Sequence, residues 1–129
     1  MRQLSGYAVN PANEKIQIQV TDEPGAGGAN HRYEVTGFDT STNPSSEGEA
    51  PAGLVILFQN GTIPENGVNG VTQEALLAIV IDRLRSFDKG PFPSRETALA
   101  LTKCEEALHW LLARTRDRLD RHVEGVLAK

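Results

Sequence analysis

The sequence has little cysteine, few aromatics, no long apolar run and no surplus of positive charge. Its one cysteine, Cys104, excludes an internal disulfide and a cysteine-based zinc site. The longest apolar run, residues 75–81, falls far short of the about 20 residues that cross a bilayer. The opening residues, MRQLSGYAVN, lack the apolar stretch of a secretory signal. The chain therefore reads as cytoplasmic, with no membrane partner. Its net charge is −4, whereas general nucleic-acid binders are basic, so no nucleic-acid polymer is expected as a partner. Aromatics make up 5% of the residues, which leaves few rings on which a base can stack.

What is present suffices for one domain. A chain of 129 residues can bury roughly 65–70% of its unfolded surface. Residues 1–129 are expected to form a single domain: a β-rich part over 1–71, a helical hairpin over 72–122 and a tail over 123–129. Charge is uneven along it. Residues 1–71 carry three basic against eight acidic groups, whereas residues 94–129 carry seven basic against six acidic. Arg114, Arg116, Arg118 and Arg121 fall within eight residues of that last part.

The front half alternates as strands do. In EKIQIQV, Ile16, Ile18 and Val20 alternate with Gln17 and Gln19, and HRYEVTGF repeats the period at Tyr33 and Val35. GLVILFQN is nearly all apolar, which predicts a central or doubly covered strand. RQLSGYAVN is a further candidate. EPGAGGAN and DTSTNPSSEGEAPA, rich in Gly, Pro, Ser and Asn, join these segments as loops.

The back half reads as two helices. Thr72 caps the first, with Glu74 in the first turn where the helix dipole favours an acid. This helix runs through TQEALLAIVIDRLRSF and stops before Gly90 and Pro91. Its apolar stretch over 75–81 predicts burial on more than one face. The second starts at Pro93 and Ser94 and runs to about Arg121. Leu101, Cys104, Leu108 and Leu111 recur at a 3-4-3 spacing, the seam of a packed hairpin. A helix this long in so small a domain points to a partner chain. The fold class is α+β: a small antiparallel sheet, then an antiparallel helical hairpin with a long second helix.

Few residues suggest chemistry. Arg114 and Arg118 are four apart on the second helix, close enough in angle to grip phosphate oxygens together. The plainer reading is that cations near a helix C-terminus complement its dipole. Phe87, at the end of the first helix, is either a core ring closing the hairpin or a stacking platform for a base. EPGAGGANH lacks the Lys-Ser/Thr ending of a phosphate loop and opens no helix. His31, His109 and His122 share no metal-ligand spacing, so neither a metal nor a cofactor is expected. No nucleophile with an orienting base is visible, and no catalytic residue is assigned.

The segments FQNGTIPENGVNGVTQEALLAIVIDRLRSF, PSRETALALTKCEEALHWLLARTRDR and VEG resemble the phage Thoeris anti-defence family of the first type. Its helical hairpin is shared with the phage anti-CBASS cyclic-nucleotide sponge. The resemblance covers residues 53–125, and GAGGANHRYEVTGFDT fits it as well. It implies a protein that binds and sequesters bacterial immune signals without cleaving them. These are the cyclic ADP-ribose isomers of Thoeris and, in some members, the cyclic di- or trinucleotides of CBASS. It also implies a homo-oligomer: dimers and, in some members, hexamers. Residue by residue, it places Phe87 against the base, and Arg114 and Arg118 on the phosphates. Thr97 stands where other members have a ligand-contacting Asn, so RETALAL replaces RENALAL. Cys104 stands where Leu is common, and RHVEG lacks a Gly that commonly precedes VEG. The alternatives are a structural or regulatory phage protein acting through the hairpin, and an enzyme that degrades the signal.

Overall fold

A computed structural model describes residues 1–9, 11–48 and 53–120. Contacts divide the chain into two compact units, Met1–Asn60 and Gly61–Lys129.

The first unit holds four strands: β1 (Arg2–Gln3), β2 (Gln17–Val20), β3 (Arg32–Thr36) and β4 (Leu54–Leu57). A single helical turn, α1 (Pro11–Glu14), precedes β2. The strands form one antiparallel sheet in the order β1-β2-β3-β4. Its register follows from the alternation. Val20 lies opposite Tyr33, and Tyr33 opposite Ile56; Ile18 lies opposite Val35, and Val35 opposite Leu54. These residues line one face, because a strand turns alternate side chains to the same side. Val20 is fully buried there, and Tyr33 meets Phe58 edge to face at 5.6 Å.

Tight backbone approaches close the sheet's ends. Gly37 follows β3 at φ +89°, and a Cβ there would collide with the Lys15 carbonyl. Only glycine accepts both conditions. The loop before β3 folds into a 3₁₀ turn, Ala26–Gly28, with the Gly25 amide donating to Ala29 O and the Gly28 amide to Gly25 O.

One strand differs from expectation. The apolar run at β4 predicts a central or doubly covered strand, yet β4 is an edge of the sheet. Leu54, Val55 and Leu57 stand about half exposed. Apolar content reports a strand's affinity for cover; it does not report strand order.

The second unit begins with a short helix, α2 (Ile63–Asn66), followed by α3 (Gln73–Lys89) and α4 (Arg95–Asp120). Thr72 caps α3, its hydroxyl accepting from the Ala75 amide at 3.1 Å. Ser94 does the same for α4, accepting from the Thr97 amide at 3.0 Å. The turn over 90–94 is short, so α3 and α4 pack as an antiparallel hairpin. Leu101, Cys104, Leu108 and Leu111 form the expected seam, each shielded from full exposure. Facing them, Leu77 and Leu84 are half-buried and Ile81 is buried. Arg85 joins Glu105 across the hairpin at 2.8 Å.

The expectation that α3 buries more than one face is not met. Ile81 faces the seam, but Ile79 remains 65% exposed and Val80 44% exposed. The hairpin offers α3 one neighbour, so one stripe is covered. Among the described residues, no helix is long and apolar enough to cross a membrane.

Candidate functional site

All four residues assigned from sequence lie on the hairpin. Phe87 sits in the last turn of α3, half exposed. It is not a ring closing the core. The guanidinium of Arg83, one turn earlier, lies over its ring at 4.9 Å from the centroid. This partner was missed in the sequence, although the i, i+4 spacing of Arg83 and Phe87 carried the signal. The cation covers one face of the ring, and the side chain remains half exposed.

Thr97 lies in the first turn of α4, half-buried. Its amide donates to Ser94 Oγ at 3.0 Å, and its own hydroxyl accepts from Ser94 Oγ at 2.9 Å. The Ser94 hydroxyl therefore serves the helix cap and the Thr97 side chain at once.

The two arginines separate. Arg114 is exposed on the outward side of α4, whereas Arg118 is 6% exposed. The cause is geometric. Thr115 and Arg118 continue the 3-4-3 rhythm of Leu101, Cys104, Leu108 and Leu111, so Arg118 falls on the seam. A four-residue step advances about 40° around a helix, enough to part a seam residue from an outward one. Arg121 lies outside the described residues.

The hairpin also separates the ends of the set. Arg85 and Glu105 stand level with each other. Phe87 lies two residues toward the turn from that level, and Arg114 nine residues away from it. At about 1.5 Å per residue, some 16 Å of helix axis separates them, and about 26 Å separates Thr97 from Arg114. One chain therefore presents a ring and a cap at the turn end and a free guanidinium toward the other end.

In the first unit, His31 is buried, and its amide donates to the Asp22 carboxylate at 3.0 Å. Burial would raise the Asp22 pKa. The amides of His31 and Arg32, the Asn30 side chain and the His31 charge outweigh it and hold the carboxyl below its ordinary value. The glycine loop beside them spends amides on its own turn, in keeping with a structural role. Among the described residues, no three His, Cys, Asp or Glu side chains converge as metal ligands would.

Residues 50–116 match the Acb2/Tad1 hairpin domain family. The matched span takes in Phe87, Thr97 and Arg114 and ends two residues before Arg118. Over 74 residues the chain is 51% identical to "Thoeris anti-defense 1" of Bacillus phage SBSphiJ7. That alignment covers 57% of this chain and 52% of the relative, so the chain spans about half the length of the curated relative it matches.

Proposed function

Because this chain belongs to the Acb2/Tad1 hairpin family, we infer that it is a phage anti-defence protein that captures a cyclic nucleotide immune signal and holds it uncleaved. The observation that carries the reading is the half-exposed Phe87 ring, oriented by Arg83 on the family's hairpin. A purine stacks on such a ring, and a guanidinium like that of Arg114 grips a phosphate through two parallel hydrogen bonds. The name of the Bacillus phage relative directs the reading to Thoeris, whose signals are cyclic ADP-ribose isomers. CBASS cyclic di- and trinucleotides are the second ligand class.

Sequestration asks for affinity and no bond-breaking. To outcompete a receptor, the protein needs nanomolar binding, on the order of −12 kcal/mol. A stacked base and charge-assisted phosphate contacts approach that figure when the ligand is enclosed. The axial distance between Phe87 and Arg114 leaves the ligand incompletely enclosed by one hairpin. The protein therefore works as a homo-oligomer, a dimer or an assembly of dimers, in the cytoplasm of the infected bacterium.

The test is to incubate the protein with a cyclic ADP-ribose isomer, filter, heat-denature and weigh the released small molecule. Intact ligand, missing from the filtrate and returned by denaturation, supports capture; an altered mass means catalysis and overturns it. Phe87→Ala should weaken capture by roughly 5- to 150-fold, the loss of about 1–3 kcal/mol of stacking. Ligand free in the filtrate, for this isomer and for cyclic di- and trinucleotides alike, rejects the reading.

A further inference from the structure

Arg83 and Arg85 lie two residues apart on α3 and are used differently. Arg85 donates from Nε and Nη2 to the Glu105 carboxylate across the hairpin. The Arg83 side chain makes no hydrogen bond and no ion pair among the described residues. Its guanidinium lies over the Phe87 ring, 4.9 Å from the centroid. Helical geometry accounts for the contact, since residues four apart stand one turn apart on the same face. Both side chains are exposed.

A guanidinium is planar. Its face can meet a ring while its N–H donors point outward in the plane. Stacking on Phe87 therefore occupies the face of Arg83 and leaves the donors to an acceptor. A phosphate is the acceptor that suits them, because its charge and its paired oxygens match the fork. Position gives a second reason. Phe87 stands in the last turn of α3, where the helix end carries a partial negative charge. An anion approaching the ring there is opposed unless a cation stands close by. About 6 Å of helix axis separates Arg83 from Phe87, against about 16 Å between Phe87 and Arg114. A single nucleotide reaches from base to phosphate across the first gap and not across the second.

We propose that Arg83 is itself a ligand-binding residue: stacked on Phe87, it takes the phosphate nearest the base, so that α3 alone reads a base and its phosphate. The proposal rests on the capture reading above and names the part of the ligand recognised at this end of the hairpin. The base takes the exposed part of the Phe87 ring, and the Arg83 donors take the phosphate oxygens. Such a pair prefers a nucleotide to a bare nucleoside, because the nucleoside leaves the guanidinium without its anion.

The experiment is calorimetric titration of the full chain with a cyclic ADP-ribose isomer, with ADP and with adenosine, each at low and high salt. Arg83→Gln should weaken both phosphate-bearing probes by about tenfold or more, the loss of a charge-assisted contact, and leave adenosine within about twofold. It should also flatten the salt dependence, whereas Arg83→Lys keeps the charge, keeps the salt dependence and loses less. Arg83 is exposed and off the hairpin seam, and circular dichroism checks that both variants are folded. An Arg83→Gln protein that binds the phosphate-bearing probes as the wild type does overturns the proposal. One that weakens adenosine as much as ADP also overturns it, because Arg83 then acts only by placing the ring. ADP binding that depends on Arg83 as expected, with no binding of the isomer or of cyclic di- and trinucleotides, refutes the sequestration reading alone. Binding of no probe at all overturns both.

Discussion

At the scale of single residues, the candidate site turns on what each side chain is already doing. The Thr97 hydroxyl is engaged by Ser94, and a threonine has no amide donor to offer a ligand. Thr97→Asn supplies one while leaving the Ser94 cap on the backbone amide intact. The variant should bind the proposed ligand, a cyclic ADP-ribose isomer, more tightly by about 1 kcal/mol, roughly fivefold, in a titration by calorimetry. Asp22 shows the same logic in the sheet. Its carboxyl is held below the ordinary 3.8, so its contribution to stability is complete above that value. The contribution is lost as pH falls through the lower folded value. Urea midpoints measured below about pH 4 should therefore fall less steeply for Asp22→Asn than for the wild type.

At the scale of elements, caps outweigh surface ion pairs. Thr72 satisfies an amide that α3 cannot satisfy itself, so Thr72→Ala should cost about 1 kcal/mol. Arg85 and Glu105 are both largely exposed, and Arg85→Ala should cost less than about 1 kcal/mol. Denaturant titration of the two variants checks the ranking. The main elements were legible in the sequence, but the single-turn helices α1 and α2 were not. Alternation marked β2 and β3, Thr72 marked the start of α3, and the 3-4-3 leucine rhythm marked the hairpin. The position of β4 at an edge was not, because a pattern of apolar residues says what a strand would bury and not which strand lies beside it. Phe87 could be named from its place at a helix end, but its exposure could not. The parting of Arg114 from Arg118 was visible in principle, since Arg118 extends the seam spacing. A four-residue step was instead read as a shared face.

At the scale of the whole molecule, the buried core is thin. Val20 and Ile81, one in each compact unit, are the buried hydrophobic side chains among the described residues. Leu54, Val55, Leu57, Ile79 and Trp110 remain about half exposed or more. Covering that surface with a copy of the chain, as in the proposed homo-oligomer, would add to the stability of the fold. Association that favours the folded state makes thermal stability concentration-dependent. The melting temperature should rise by about 5 °C over a roughly hundredfold increase in protein concentration. A melting temperature that does not move with concentration would show that the folded chain does not depend on association.

Trp110 also gives the protein its own optical reporter. With one indole in the sequence, intrinsic fluorescence at tryptophan-selective excitation comes from a single place. That indole is in water in the isolated chain, so a dilute solution should emit at the red end of the tryptophan range and be readily quenched by iodide. Any ligand or partner that covers this part of α4 would dry the ring, move the emission to the blue and protect it from the quencher, with no label attached.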